Sequence, residues 1–193
     1  MSASELDRFI RAAQAFAVRH PEPADCVAAI APLMHALLQH ADGFLAPQHL
    51  RADPDHYARN AIHVAPDQSL SLYALVWAPG QWTPVHDHGS WGVVGVLRGV
   101  LEERSYIRTG AHDATVRSAD IGIELQRGGV TLLGSGSVTS FVPNPDHIHI
   151  TGVSADHPQA VSLHLYGRNM NSFHLYDVAA GTRRSVNLEH NES

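Results

Sequence analysis

Apolar and polar positions follow two different rhythms along this chain. In the first, Leu6, Phe9, Ile10, Ala13 and Phe16 recur at helical spacing, with Ser4 placed as an N-cap. Pro21 and Pro23 break that run, and a second helix is predicted from Ala24 to about His40. Pro32 inside it predicts a kink or a restart. The stretch from Phe44 to Asp55 leaves room for a third short helix. From about Tyr57 the rhythm changes to short runs rich in β-branched and aromatic residues: SLYALVWAP, WGVVGVLRG, LEERSYIR, IELQRGG, VTLLGSGS, TSFVP, HIHITGV, AVSLHLYG, FHLYDV and TRRSVNL. Gly, Pro, Asn and Asp punctuate them. Many short strands without intervening helical periods predict an antiparallel sandwich or barrel. The expected fold class is mostly β. One domain spans 1–193, with an N-terminal α-helical cap over 1–55 and a β-barrel over 56–193.

Composition narrows the function. The length of 193 residues suits one domain with a sizeable core. A net charge of −6 argues against a nucleic-acid-binding surface, which needs excess Lys and Arg. No apolar run approaches the ~20 residues of a membrane helix, so neither nucleic acid nor membrane is expected as a partner. The N-terminus, MSASELDRFIRAAQAF, is acidic early and lacks an unbroken apolar stretch, so no signal peptide is expected. The single cysteine, Cys26, excludes an intramolecular disulfide framework and suits a reducing cytoplasm. Histidine stands out, with 15 copies.

Their placement points to metal chemistry. In PVHDHGSWGVVGVLRG, His86 and His88 lie one residue apart, so on an extended strand both imidazoles face the same way. Asp87 between them faces the opposite side, a structural position. A solvent-facing polar pair is the plain alternative. A third ligand must come from a distant strand, and PNPDHIHITG offers His147 and His149, again sharing one face. Three neutral imidazoles with open positions suit iron, zinc, copper or nickel. In AVSLHLYG, Ser162, His164 and Tyr166 share a strand face; a buried polar row there would need mutual hydrogen bonds. Alternation leaves two choices open, because Leu163 and Leu165 could equally face inward.

These motifs carry a resemblance. GQWTPVHDHGSWGVVGVLRG, with Gly80 before the histidines and Gly99 closing the next strand, resembles the first motif of the cupins, and PNPDHIHITG a degenerate second one. The glutamate ligand usual in that motif falls at Gly92. More specifically, the chain resembles the thiol dioxygenases of the cysteine dioxygenase family. That family places its third histidine thirteen residues before the serine of SLHLY, and here that residue is His149. Its Tyr-x-Arg-Asn segment matches Tyr57-Ala58-Arg59-Asn60, and its tryptophan matches Trp77.

The resemblance runs from about Tyr57 to Asp177, and the preceding helices are also typical of the family. It implies a cupin, jelly-roll-like barrel holding mononuclear non-heme Fe(II) on His86, His88 and His149. The implied reaction adds both atoms of O₂ to the sulfur of a small carboxylate-bearing thiol, giving a sulfinic acid. Tyr166 would act on the reacting groups, oriented by His164 and Ser162, and Arg59, assisted by Tyr57, would hold the substrate carboxylate.

Departures from the family refine the expectation. Allowing a one-residue gap, the cysteine that animal enzymes cross-link to the tyrosine falls at Gly92, so no Cys–Tyr cross-link is expected. Relatives acting on 3-mercaptopropionate place glutamine at the upstream arginine and an arginine just before a His-x-Tyr-Asp segment. Here Arg59 is upstream and Phe173 precedes His174-Leu175-Tyr176-Asp177. This arginine-type pattern favours L-cysteine, with 3-mercaptopropionate and mercaptosuccinate as alternatives. Outside this class stand a metal-dependent cupin hydrolase or isomerase and a cupin that only binds a small acid. Arg168 is placed to assist an acidic substrate, and the sequence does not decide whether His63, His147 or His157 reaches the pocket.

Overall fold

The computed structural model describes residues 4–109, 120–143 and 147–187. Helix α1 (Glu5–Arg19) starts as its sequence requires: Ser4 Oγ accepts the Asp7 N–H at 3.0 Å, and the Asp7 carboxylate accepts the Ser4 N–H at 3.1 Å. Its stripe of Phe9, Ile10 and Ala13 is buried against helix α2 (Pro23–Leu38). Proline is tolerated at the first position of α2, where its missing N–H costs nothing. The expected break at Pro32 does not end the helix, which continues to Leu38. Ile30, Met34, Leu37 and Leu38 are all buried on either side of it, and their burial outweighs one lost helical hydrogen bond. The third helix expected between Phe44 and Asp55 is a single 3-10 turn, Pro47–Leu50.

Among the described residues ten strands follow: β1 (Ala58–Val64), β2 (Ser71–Trp77), β3 (Gly92–Arg98), β4 (Val100–Thr109), β5 (Glu124–Gly134), β6 (Val138–Phe141), β7 (Ile148–Gly152), β8 (Ala160–Tyr166), β9 (Ser172–Asp177) and β10 (Thr182–Asn187). They pair antiparallel in the orders β1-β2-β8-β3-β6, β5-β4-β7 and β10-β9. The runs IELQRGG and VTLLGSGS form one strand rather than two. Gly128 and Gly129 sit where the β4–β5 register shifts, so the glycines bulge the strand without ending it. Between the sheets lies a core of Tyr73, Leu75, Trp77, Val94, Val96, Leu101, Leu133, Phe141 and Tyr166. The molecule is mostly β, a barrel capped by two N-terminal helices. Among the described residues no helix is long and apolar enough to cross a membrane.

The cap decides the orientation of β8. Leu163 and Leu165 join the cluster of Phe9, Ile30, Met34 and Leu37 under the helices. Helix α2 comes close because Gly95 on β3 has no side chain; a Cβ there would lie 2.9 Å from Met34 Cγ and 3.1 Å from Leu38 Cδ1. Ser162, His164 and Tyr166 therefore face the barrel interior. All seven residues of β8 are buried, because this central strand is covered on both faces.

The segment carrying His86 and His88 differs from the expected strand. It is an extended stretch held by isolated bridges, His86 to His149 on one side and His86 to Leu175 on the other. Pro84 has no N–H to continue a ladder, and Gly89, at φ 54°, turns the chain away.

Candidate metal centre

The bridge between His86 and His149 is reciprocal: each backbone N–H donates to the other's carbonyl at 3.0 Å. It clamps the His86 segment to β7 and sets three imidazoles around one point. Ring centroids are 4.7 Å apart for His86–His88, 4.6 Å for His86–His149 and 5.1 Å for His88–His149. One nitrogen from each ring lies within 4.8 Å of the other two, spacing that could hold a metal ion.

The chemistry of these rings suits that role. His86 donates from Nδ1 to the Pro84 carbonyl at 3.0 Å, which leaves Nε2 as a lone-pair donor. His88 Nδ1 and both nitrogens of His149 are buried without a hydrogen-bond partner. Such orphaned groups are costly unless something takes the lone pairs. Burial, with the neighbouring imidazoles adding to it, pushes the pKa of His86 down to about 3 and that of His88 well below the usual histidine range. Burial alone takes His149 down to about 3. Neutral imidazoles are the ligating form. The three residues fit a mononuclear metal with open coordination positions.

Opposite them runs a hydrogen-bonded row. Trp77 Nε1–H donates to Ser162 Oγ at 2.9 Å, Ser162 Oγ lies 2.8 Å from His164 Nε2, and His164 Nδ1 lies 3.3 Å from the Tyr166 hydroxyl. Indole can only donate, so Ser162 is free to give its own proton to His164 Nε2. The His164 proton then sits on Nδ1 and is donated to the Tyr166 oxygen. That leaves the Tyr166 O–H free to donate into the cavity. Burial, then the positive charge of Arg59, takes the His164 pKa down to about 3, and burial raises that of Tyr166. At neutral pH the row is uncharged, and Tyr166 is a phenol rather than a phenolate.

Arg59 and Tyr57 enter from the start of β1. Arg59 donates to the Met170 carbonyl at 2.7 Å and lies 4.8 Å over the Tyr73 ring, while Tyr57 stacks on Trp77 at 4.6 Å. Among the described residues no carboxylate pairs with Arg59. Its remaining N–H groups are available to an anion. Leu75, Val94, Phe141, Met170 and Phe173 complete the lining of the cavity, whose volume is about 30 Å³. All eight sequence-predicted site residues line this cavity except Ser162, which lies behind His164.

The other candidate histidines and Arg168 do not line the cavity, although the His147 ring is 4.4 Å from that of His149. His63, His147 and His157 are not among the lining residues. Arg168 donates to the His88 carbonyl at 3.0 Å and to the Ser172 carbonyl, so it braces the backbone behind His88 rather than facing the cavity. Asp87 does face away from the imidazoles, accepting the Tyr176 hydroxyl at 2.7 Å and lying 3.0 Å from His174 Nδ1. Two residues near the imidazoles escaped the sequence reading. Phe141 stacks on His88 at 4.4 Å, and the Glu103 carboxylate lies 3.2 Å from His149 Nδ1. An apolar residue and an acid within strand sequences carry no signal of either role.

A β-barrel with three inward neutral imidazoles is a fold and donor set that could hold a metal ion. Residues 20–179 match the family model described as cysteine dioxygenase type I, and the chain belongs to that family. Solved structures similar to it include an uncharacterized double-stranded β-helix protein from Klebsiella pneumoniae, at 15% identity over 67% of this chain and 91% of that one, with a TM-score of 0.46. Another is an RmlC-like cupin from Ralstonia eutropha, at 13% identity over 72% of each chain and a TM-score of 0.46.

Proposed function

We propose that this protein is a non-heme Fe(II) thiol dioxygenase that converts a small carboxylate-bearing thiol, L-cysteine above all, to its sulfinic acid. Family membership supports the class, and one observation carries the reading. Three neutral imidazoles, an uncharged Tyr166 phenol and the unpaired charge of Arg59 meet in one small cavity. The sulfur loses four electrons and O₂ gains four, so the reaction needs no external reductant.

His86, His88 and His149 would hold the iron, whose Lewis acidity and redox capacity would supply thiol deprotonation and O₂ activation. Arg59 would take the substrate carboxylate through its free N–H groups, fixing the thiol end toward the imidazoles. Tyr57, pinned on Trp77, would wall the carboxylate side. Tyr166 would donate its free O–H to the reacting oxygen or sulfur, with His164 and Ser162 holding that proton's direction. The surrounding Leu75, Val94, Met170 and Phe173 would exclude bulk water. The helical cap and barrel would work as a single unit, in the reducing cytoplasm.

A second substrate has its own support. Among the described residues no acidic side chain lines the cavity, so none of those lining it would pair with an ammonium group. That favours 3-mercaptopropionate or mercaptosuccinate unless the amine of cysteine finds its partner on the metal. A hydrolase or a simple acid-binding cupin would leave the Ser162–His164–Tyr166 row without a task. The deciding experiment measures O₂ uptake by Fe(II)-loaded protein with the three thiols in parallel, with sulfinate quantified. One O₂ consumed per sulfinate formed supports the reading and ranks the acids. Bound iron with no uptake for any thiol refutes it.

A further inference from the structure

Glu103 sits on β4 opposite Thr151, and Ser105, two residues on, is opposite His149. Glu103 and His149 are therefore diagonal neighbours on one face of a rigid antiparallel pair. Glu103 Oε2 lies 3.2 Å from His149 Nδ1, and Oε1 lies 3.5 Å from His147 Nε2. The carboxylate thus spans the two histidines of the HIH segment. His147 is itself held flat against Phe141, at 4.6 Å and 6° between planes. The Glu103 side chain is only 17% exposed. A mostly buried acid beside one buried and one half-buried imidazole is an expensive arrangement unless it serves them.

The three inward imidazoles are not equally braced. His86 has a carbonyl on Nδ1, His88 has no partner there, and His149 faces a carboxylate. The Glu103 and His149 groups are within ion-pair distance without meeting hydrogen-bond geometry, and the carboxylate can accept from Nδ1 only in the tautomer that carries its proton there. That tautomer leaves Nε2 as the lone-pair donor of the ring. Among the described residues Glu103 is the carboxylate paired with His149, and it favours one of the ring's two tautomers over the other.

We propose that Glu103 is a positioning residue for the metal centre. It supplies, from behind His149, the carboxylate that the cupin pattern would place among the ligands at position 92. The proposal rests on the reading of His86, His88 and His149 as that centre. A carboxylate acting through an imidazole fixes ring orientation, raises ligand basicity and offsets part of the cation's charge. It leaves the coordination positions open.

The test uses metal-free full-length protein titrated with Co(II), read by visible absorption, with folding checked by circular dichroism. Glu103→Ala should weaken Co(II) binding roughly 10- to 100-fold, the range expected when such a partner is lost. Glu103→Gln, close in shape and still able to accept from Nδ1–H, should fall between Ala and wild type and shift the absorption bands. It also keeps the test decisive if the alanine variant does not fold. Glu102→Gln removes the same charge one residue away and should leave affinity unchanged. Affinities within about twofold of wild type for folded Glu103 variants would overturn the proposal while leaving the metal-centre reading standing. An equal loss in Glu102→Gln would overturn it too, by making the effect one of overall charge. Failure of the wild-type protein to bind Co(II) or Fe(II) would instead remove the metal centre and this proposal with it.

Discussion

Gly92 offers a sharp test of how the cavity wall is built. It pairs with Phe141 on one side and Tyr166 on the other. A Cβ at this position would collide with the tip of the Phe141 ring and lie 2.9 Å from its Cε1 and Cε2. The ring has little freedom to retreat, being 6% exposed and stacked on both His88 and His147. Gly92→Ala should therefore act as an overpacking change costing ~1–3 kcal/mol, against a gain of ~0.4–1 kcal/mol from the smaller backbone entropy of the unfolded chain. The net loss of about 1–2 kcal/mol corresponds to a melting temperature lower by roughly 2–8 °C for a chain of this size. Thermal unfolding of metal-free protein measures it, and a double-mutant cycle with Phe141→Leu isolates the cause. Phe141→Leu alone should destabilise by leaving a cavity. In that background, adding Gly92→Ala should be neutral or stabilising. Equal cost in both backgrounds, or stabilisation by Gly92→Ala alone, would refute the reasoning.

Three further outcomes follow from the site. Stability of the metal-free protein should fall as pH drops below the unfolded histidine value of ~6.5. His86, His149 and His164 stay neutral down to about 3 and His147 to about 4, so the unfolded chain takes up protons first. Each such group contributes up to ~1.4 kcal/mol per pH unit, and urea midpoints unchanged between pH 7 and pH 5 would contradict it. Replacing Arg59 with Leu removes a charge-assisted contact of ~1.5–3 kcal/mol. It should lower kcat/KM roughly 10- to 100-fold, mainly through KM, in steady-state O₂ uptake with the preferred thiol. Tyr166→Phe should cut kcat by roughly 10²-fold, in line with loss of one donor at a reacting centre, while iron content by elemental analysis stays at the wild-type level; loss of iron would place Tyr166 on the scaffold.

The sequence alone determined what depends on near neighbours. Ser4 and the 3.6-residue stripe through Phe9, Ile10 and Ala13 set α1, because a cap and a periodicity are properties of one segment. His86 and His88 share a face in any extended backbone, so their convergence was legible even though Pro84 prevents a regular strand there. The same holds for His147 and His149, and for the Ser162, His164 and Tyr166 row as a row.

Tertiary structure decided everything that depends on which surface meets which. Alternation could not say whether Ser162 or Leu163 faces the barrel interior, because the helices cover one face of β8 and the cavity the other. Pro32 signalled a break that burial of Ile30, Met34, Leu37 and Leu38 overrides. Glu103 in LEERSYIR reads like any acid on a strand, and only the β4–β7 register sets it beside His149. Periodicity is written in residues adjacent along the chain. Pairing register and the covering of faces arise from contacts between distant segments, and those settle which polar groups become a site.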